Sequence, residues 1–148
     1  MTSFEEELER NGTLVFTNKG RSMMPLLRQD RDLMVIERKG PERCKKYDVI
    51  LFKRDGKYVL HRILKVRERD YYVVGDNHRR GESVKDSQIL GVMTQVVRDG
   101  RTITAEDPAY RRYVRLWCDF FPIRAGIFFV RDGLRAVWRR IRKLWKRG

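Results

Sequence analysis

The sequence contains few of the residues that build disulfide frameworks or metal sites. Two cysteines, Cys44 and Cys118, and two histidines, His61 and His78, are spread over 148 residues. No pair of them has the spacing of zinc ligands, and two distant cysteines cannot form a disulfide framework. We therefore expect two reduced thiols, no metal site and no cofactor.

Long apolar runs are also missing. The longest, Ala125 to Val130, is six residues long and is interrupted by Arg131, whereas a spanning helix needs about 18 consecutive apolar residues. The first eight residues are acidic and have no apolar run of signal-peptide length. These absences exclude a multi-span membrane protein. We expect a cytoplasmic protein or one that associates peripherally with a membrane.

The charge is positive and unevenly distributed. The net charge is +14, from 34 Lys and Arg against 20 Asp and Glu. Residues 109–148 contribute +10 of it and residues 1–108 only +4. With 41% hydrophobic residues and only four prolines, the chain is too apolar for a disordered polycation. We expect a folded domain over 1–108 and a basic tail over 109–148.

Residues 1–108 have the pattern of a mainly β domain. An N-cap hydroxyl in Thr2-Ser3 with a glutamate three residues later predicts a short helix that Asn11-Gly12 ends. Short runs rich in Val, Ile, Phe and Tyr follow, separated by turn residues. Asp55-Gly56 and Asp99-Gly100 are hairpin signals. We expect an antiparallel sheet rolled into a small barrel or sandwich.

The tail has helical periodicity and is interrupted once, at Pro122. Beyond it, apolar residues step by three or four while Arg and Lys fill the other face. Such a helix either packs on the β domain with a solvated basic face, or lies in an anionic membrane interface. Nucleic acid is a less favoured partner. The candidate contact residues are Arg131, Arg135, Trp138, Arg139, Arg142 and Trp145.

Three residues could take part in catalysis, but each of them is a weak signal when taken separately. Ser22 lies in the stiff loop Gly20-Arg21-Ser22-Met23-Met24-Pro25, which could hold a hydroxyl out of regular structure. His61 shares a predicted strand face with Val59 and Ile63, where a histidine is usually only a core residue. Asp76 lies between Gly75 and Asn77, where an aspartate is usually only a turn residue.

Together, these segments resemble type I signal peptidases. The Ser22 loop is similar to their Ser-Met-x-Pro nucleophile box, and Gly75-Asp76-Asn77 is similar to their Gly-Asp-Asn box. Tyr47 to Phe52 resembles their Gly-Asp-Val strand, and Ile89 to Val92 resembles the returning glycine-containing strand. Bacterial members and the SOS-repressor autoproteases have a lysine as general base. His61 stands there, as in the endoplasmic-reticulum, archaeal and sporulation-type members.

The resemblance implies a small β-barrel serine endopeptidase that cleaves a signal, leader or precursor peptide. Ser22 would be the nucleophile and His61 the general base. Asp76 is the first choice for the carboxylate that orients His61, with Glu82 next and Asp86 third. The substrate and oxyanion loop would comprise Gly20, Arg21, Met23, Met24 and Pro25, and the turn box would include Gly75 and Asn77.

Three features depart from that pattern. Tyr47 replaces a glycine, Gly20 replaces a small hydroxyl residue, and we see no N-terminal anchor before the Ser22 box. The alternative is therefore a non-catalytic module that uses the same fold to bind a membrane or another polyanion. An autoproteolytic regulator is least expected, since only about 19 residues precede the Ser22 box. The oligomeric state stays open.

Overall fold

The computed structural model describes residues 3–17, 19–28 and 31–146. Their helices and strands are, in chain order, α1 (Phe4–Asn11), β1 (Thr13–Thr17), β2 (Leu33–Arg38), β3 (Val49–Arg54), β4 (Lys57–Val66), β5 (Tyr71–Val74), β6 (Glu82–Val84), β7 (Ile89–Arg98), β8 (Arg101–Thr104), α2 (Pro108–Asp119) and α3 (Phe121–Trp145). The mainly β character, the short N-terminal helix and the C-terminal helices predicted from the sequence are thereby confirmed.

The eight strands form one antiparallel sheet in the order β1-β2-β7-β3-β4-β5-β6, with β8 paired to β7. Strand β7 is long enough to pair with β3 over Ile89–Val92 and with β8 over Gln95–Arg98 along its length. Within the described residues no ladder joins the end strands β1 and β6, so the sheet is not closed into a barrel. The predicted barrel closure is wrong, because β1 and β6 remain separate edges.

Both predicted hairpins are present. Asp55-Gly56 joins β3 to β4, and Asp99-Gly100 joins β7 to β8. All four residues have positive φ, from 49° to 76°, as a two-residue turn between twisted strands requires. The turn chemistry therefore sets the register of β4 on β3, in which His61 faces Ile50 across the ladder.

The N-terminal helix α1 begins and ends where its sequence predicts. The Ser3 hydroxyl accepts a hydrogen bond from the Glu6 amide, and the Glu6 carboxylate accepts one from the Ser3 amide. Gly12 ends the helix with φ 72°, a conformation that glycine adopts easily. Leu8 is the buried residue of the helix and packs in a core with Leu14 of β1.

The two cysteines lie in different parts of the core. Cys44 and Cys118 are both buried and both unpaired with another cysteine. Cys44 packs with side chains of β3, β4 and β5, and Cys118 packs beside Val114 of α2. Burial raises the pKa of the Cys118 thiol to about 11, so this thiol stays protonated near neutral pH.

Helix α2 packs against the sheet and does not stand apart from it. Its buried residues Val114 and Cys118 contact Leu64 of β4 and Val74 of β5.

The predicted break near Pro122 is present, since α2 ends at Asp119 and α3 starts at Phe121. None of the helices in the described part of the chain is both long enough and apolar enough to span a bilayer.

A buried ion pair connects the sheet to α2. Arg62 of β4 donates two hydrogen bonds of 2.8 Å to the Asp76 carboxylate, and both side chains are at most 1% exposed. Arg62 also donates to the Tyr110 hydroxyl at 3.0 Å, while the Tyr113 hydroxyl donates to Asp76 at 2.9 Å. The Trp117 indole N–H donates to the Asp76 carbonyl at 2.7 Å. The turn after β5 is thus fixed between β4 and α2.

Replacing Asp76 by asparagine should destabilise the protein by about 3–5 kcal/mol, because the change leaves the Arg62 charge buried and uncompensated. Chemical denaturation measures this as a change in the free energy of unfolding. Asp99→Asn is the matched control, since its pair with Arg31 is solvent-exposed and is worth about 1 kcal/mol or less. Equal losses in the two variants would contradict a structural role for the buried pair.

Candidate active site

Ser22 and His61 line the same cavity, which has a volume of about 630 Å³. The Ser22 loop forms a series of turns between β1 and β2, and His61 lies in the middle of β4. Other residues of the wall include apolar and aromatic side chains, cations, a second histidine and an acid: Phe4, Phe16, Leu51, Tyr58, Lys19, Arg54, Arg80, His78 and Glu82. Segments that are far apart in the sequence therefore form the wall of this cavity.

The turn Gly75-Asp76-Asn77 holds the Ser22 loop against His61. The Asn77 amide donates a 2.7 Å hydrogen bond to the Ser22 carbonyl. A Cβ atom on Gly75 would lie 2.7 Å from that carbonyl oxygen and 3.1 Å from Cδ2 of His61. Only glycine allows both groups to approach this point. The Ser22 loop and the turn Gly75-Asp76-Asn77 are thus in direct contact.

Other residues of the Ser22 loop have different surroundings. Met23 is fully buried and belongs to the core beneath the loop, whereas Met24 is 36% exposed. Gly20, Arg21 and Pro25 are exposed. The Met24 amide donates to the Arg21 carbonyl at 3.1 Å. Met23 therefore anchors the loop in the core while Ser22 borders the cavity.

The carboxylate nearest to His61 is that of Glu82, whose Oε1 lies 3.2 Å from Nδ1 of the ring. The angle falls short of a hydrogen bond, and this buried Nδ1 has no hydrogen-bond partner in the described residues. Asp76 binds Arg62 instead, and Asp86 accepts from Tyr71 and Lys39. Of the three candidate acids, Glu82 is thus the one that faces His61, whereas Asp76 and Asp86 bind other side chains.

Two further residues at His61 were not singled out by sequence reasoning. Arg54, at the end of β3, donates a 2.6 Å hydrogen bond to the same Glu82 oxygen that faces His61. The His78 ring meets the His61 ring edge-on, with centroids 5.4 Å apart. His78 follows Asp76 by two residues in the same turn, and this proximity was the only sequence signal for it.

Burial holds His61 in its neutral form. Desolvation lowers the pKa of His61 from 6.5 to about 4, and nearby His78 and Arg54 lower it as well. Glu82 acts in the opposite direction by favouring the protonated ring. At neutral pH the imidazole is therefore an uncharged base with a carboxylate beside one nitrogen.

Tyr47 occupies the position where the resemblance predicts glycine, and it has φ 80°. This left-handed conformation is unfavourable for a bulky side chain. The Tyr47 hydroxyl donates a 2.6 Å hydrogen bond to Asp119 at the end of α2. Its amide donates to Ile63 and its carbonyl accepts from Arg62. Backbone and side-chain bonds thus hold a conformation that glycine would adopt without strain.

The candidate membrane or polyanion residues all lie on α3. Trp138 is 62% exposed and Trp145 is 87% exposed. Arg135, Arg139 and Arg142 are also exposed, whereas Arg131 stacks on Phe128 with 4.6 Å between its guanidinium carbon and the ring centroid. None of these residues lines the Ser22 cavity.

The described residues contain no group of three or more His, Cys, Asp or Glu side chains placed to bind a metal ion.

Comparison with known proteins adds no relative: no family model matches the chain, and no curated protein matches it.

Replacing Gly75 by alanine should destabilise the protein by about 1–3 kcal/mol, because the new Cβ overlaps the Ser22 carbonyl and the His61 ring. Urea unfolding measures the change. Gly40→Ala is the matched control, since a Cβ there meets no atom within 4 Å. A Gly75→Ala protein as stable as the control would contradict the close approach of these three residues.

The depressed pKa of His61 also predicts a pH dependence of stability. Between pH 6.5 and about 4 the unfolded chain binds a proton on this residue and the folded protein does not. The free energy of unfolding should therefore fall by up to about 3 kcal/mol as the pH decreases through that window. Denaturation of wild type and His61→Gln at several pH values isolates this contribution. NMR titration showing a His61 pKa near 6.5 would contradict it.

Proposed function

We propose that the protein is a serine endopeptidase in which Ser22 is the nucleophile, His61 the general base and Glu82 the carboxylate beside it. The observation that carries the proposal is the cavity shared by Ser22 and the buried ring of His61. We further propose that the antiparallel sheet is a variant of the type I signal peptidase fold. The ordered boxes at Ser22, His61 and Gly75-Asp76-Asn77 support this assignment.

In the proposed mechanism, the Ser22 hydroxyl oxygen attacks the carbonyl carbon of a peptide bond and His61 accepts the hydroxyl proton. His61 then returns this proton to the amine that leaves when the peptide C–N bond breaks. Water hydrolyses the resulting ester and regenerates Ser22. Because Nδ1 of His61 faces Glu82, Nε2 is the nitrogen that carries the transferred proton.

Glu82 stabilises the imidazolium that forms during each step. Arg54 binds the same carboxylate, so it limits how far Glu82 favours the protonated ring and fixes the carboxylate in place. Asp76 has a positioning role in this scheme, because its pair with Arg62 holds the turn that contacts Ser22. Backbone N–H groups near Ser22 supply the oxyanion donors, although that of Met24 already binds Arg21.

The cavity wall indicates the kind of peptide that would bind. Phe4, Phe16 and Leu51 offer apolar and aromatic surface next to Ser22 and His61, and Lys19 and Arg80 add positive charge. A precursor or leader peptide with an apolar side chain near the cleaved bond and an acidic residue close to it fits this lining. The alternative is a non-catalytic module on the same fold, which would bind a membrane or another polyanion and cleave no peptide.

Ser22→Ala and His61→Ala should each reduce cleavage of a peptide library by at least about 10²-fold, since each removes a group that reacts in the mechanism. Mass spectrometry of the digested library gives both the rate and the cleavage motif. Ser83→Ala, on the exposed side of β6, is the matched serine control. Unchanged cleavage by Ser22→Ala would refute the proposal, and the absence of cleavage by wild type would favour the non-catalytic module.

Glu82→Gln should lower the cleavage rate by roughly 10²-fold, because loss of the carboxylate removes the orientation and stabilisation of the imidazolium. It should also shift the His61 pKa further down, which NMR titration measures independently of activity. Asp86→Asn is the matched control, since Asp86 binds Tyr71 and Lys39 away from His61. A larger loss in the Asp86 variant than in the Glu82 variant would reverse the assignment.

A further inference from the structure

Helix α3 uses only a small part of its surface to pack on the rest of the protein. Its buried residues are Arg124 and Phe128, both in the first third of the helix. The Arg124 guanidinium lies 4.6 Å from the Phe121 ring centroid and 5.1 Å from that of Trp117. From Phe129 to Lys146 no residue is buried. Most of α3 is therefore available to a partner.

The unused surface contains an apolar stripe along the full length of the helix. Its seven residues are 42–87% exposed, and they are Ile123, Ile127, Val130, Leu134, Trp138, Ile141 and Trp145. At 3.6 residues per turn they share one face, roughly 100° around the axis from Arg124 and Phe128. Exposed apolar surface of this extent is uncommon on a protein without a partner. The stripe is thus a candidate contact surface.

Cations accompany the stripe. Helix α3 has seven Arg and Lys residues against one acid, Asp132. Arg135 and Arg142 are exposed and lie on the side of the helix that also contains Arg124 and Phe128. Long side chains of this kind can lay their methylenes on apolar surface and keep the charge in a polar layer. An anionic, apolar-cored partner would satisfy both features at once.

We propose that α3 is an interfacial helix that docks this protein on an anionic lipid bilayer, with the apolar stripe among the acyl chains and the cations among the head groups. Interfacial helices combine an apolar face containing Trp, Phe or Leu with a face rich in Lys and Arg. Nucleic acid would pair with the cations but leave the stripe in water. A second copy would cover the stripe but bring seven more cations against the first seven.

The docking helix is connected to the Ser22 cavity. Arg124 donates a 3.2 Å hydrogen bond to the carbonyl of His78, and the Arg79 guanidinium carbon lies 5.9 Å from the Phe129 ring centroid. The segment that contacts Ser22 is therefore held by the first turns of α3. Docking of α3 would keep the cavity close to the membrane surface. The lipid contact itself does not depend on catalysis, so Ser22→Ala should bind as wild type does.

Cosedimentation of the full chain with vesicles tests the proposal. Vesicles of phosphatidylcholine mixed with phosphatidylglycerol should bind the protein, and vesicles of phosphatidylcholine alone should bind it at least about tenfold more weakly. Binding should decrease with added salt. The fluorescence of Trp138 and Trp145 should move to shorter wavelength on binding, because both indoles leave water. Failure to bind the anionic vesicles would overturn the proposal.

Variants separate the stripe from the charge. Leu134→Ser with Trp138→Ser should weaken binding at least about tenfold, since two anchoring side chains are lost. Phe129→Ser is the matched control: it removes an exposed aromatic side chain from another face of α3 and should change binding less than about twofold. Arg135→Gln with Arg142→Gln should weaken it about fivefold per charge and flatten the salt dependence.

Two outcomes would assign the surface to another partner and overturn the lipid proposal. The first is vesicle binding that the double stripe variant leaves unchanged, together with equal binding to duplex DNA, which would reduce α3 to a basic polyanion surface. The second is a dimer in sedimentation equilibrium that the stripe variant dissociates. Circular dichroism and thermal unfolding of each variant confirm that the fold is retained.

Discussion

The buried pair of Arg62 and Asp76 is the interaction on which the arrangement of this protein depends. Both groups are removed from water, and such charges persist in a core only when each is paired and hydrogen-bonded. The partners that satisfy them come from β4, the turn after β5, and α2. Because successive residues of a strand point to opposite faces, directing Arg62 towards α2 directs His61 to the other side of β4, where the cavity lies.

The same turn links this ion pair to the Ser22 loop. Asp76 is held from one side by Arg62 and Tyr113, and its neighbours Gly75 and Asn77 contact Ser22 from the other. Asp76 resembles a catalytic acid in the sequence, but in this structure its carboxylate connects β4 to α2. The carboxylate beside His61 comes from β6. Desolvation lowers the pKa of His61 and keeps the imidazole uncharged near neutral pH, and the positive charge of Arg54, which binds the same Glu82 oxygen, acts in the same direction.

The two helices of the basic tail differ in how much of their surface packs on the rest of the protein. Helix α2 has its buried residues against the sheet and its tyrosines in the ion-pair network. Helix α3 keeps its apolar stripe outside, because its packing face is the one that contains Arg124 and Phe128. The same sequence periodicity therefore describes a core helix in one case and an exposed amphipathic helix in the other.

Local chemistry by itself determined the elements of this protein: the Ser3–Glu6 capping box, the Asp-Gly hairpins, the break near Pro122 and the mainly β character. These features depend on interactions between near neighbours, which spacing in the chain records. The tertiary structure alone decided that the sheet stays open, that Glu82 faces His61 while Asp76 binds Arg62, and which face of α3 packs. Those outcomes depend on which strand edges and side chains meet across long stretches of chain, and one sequence contains no direct record of such distances.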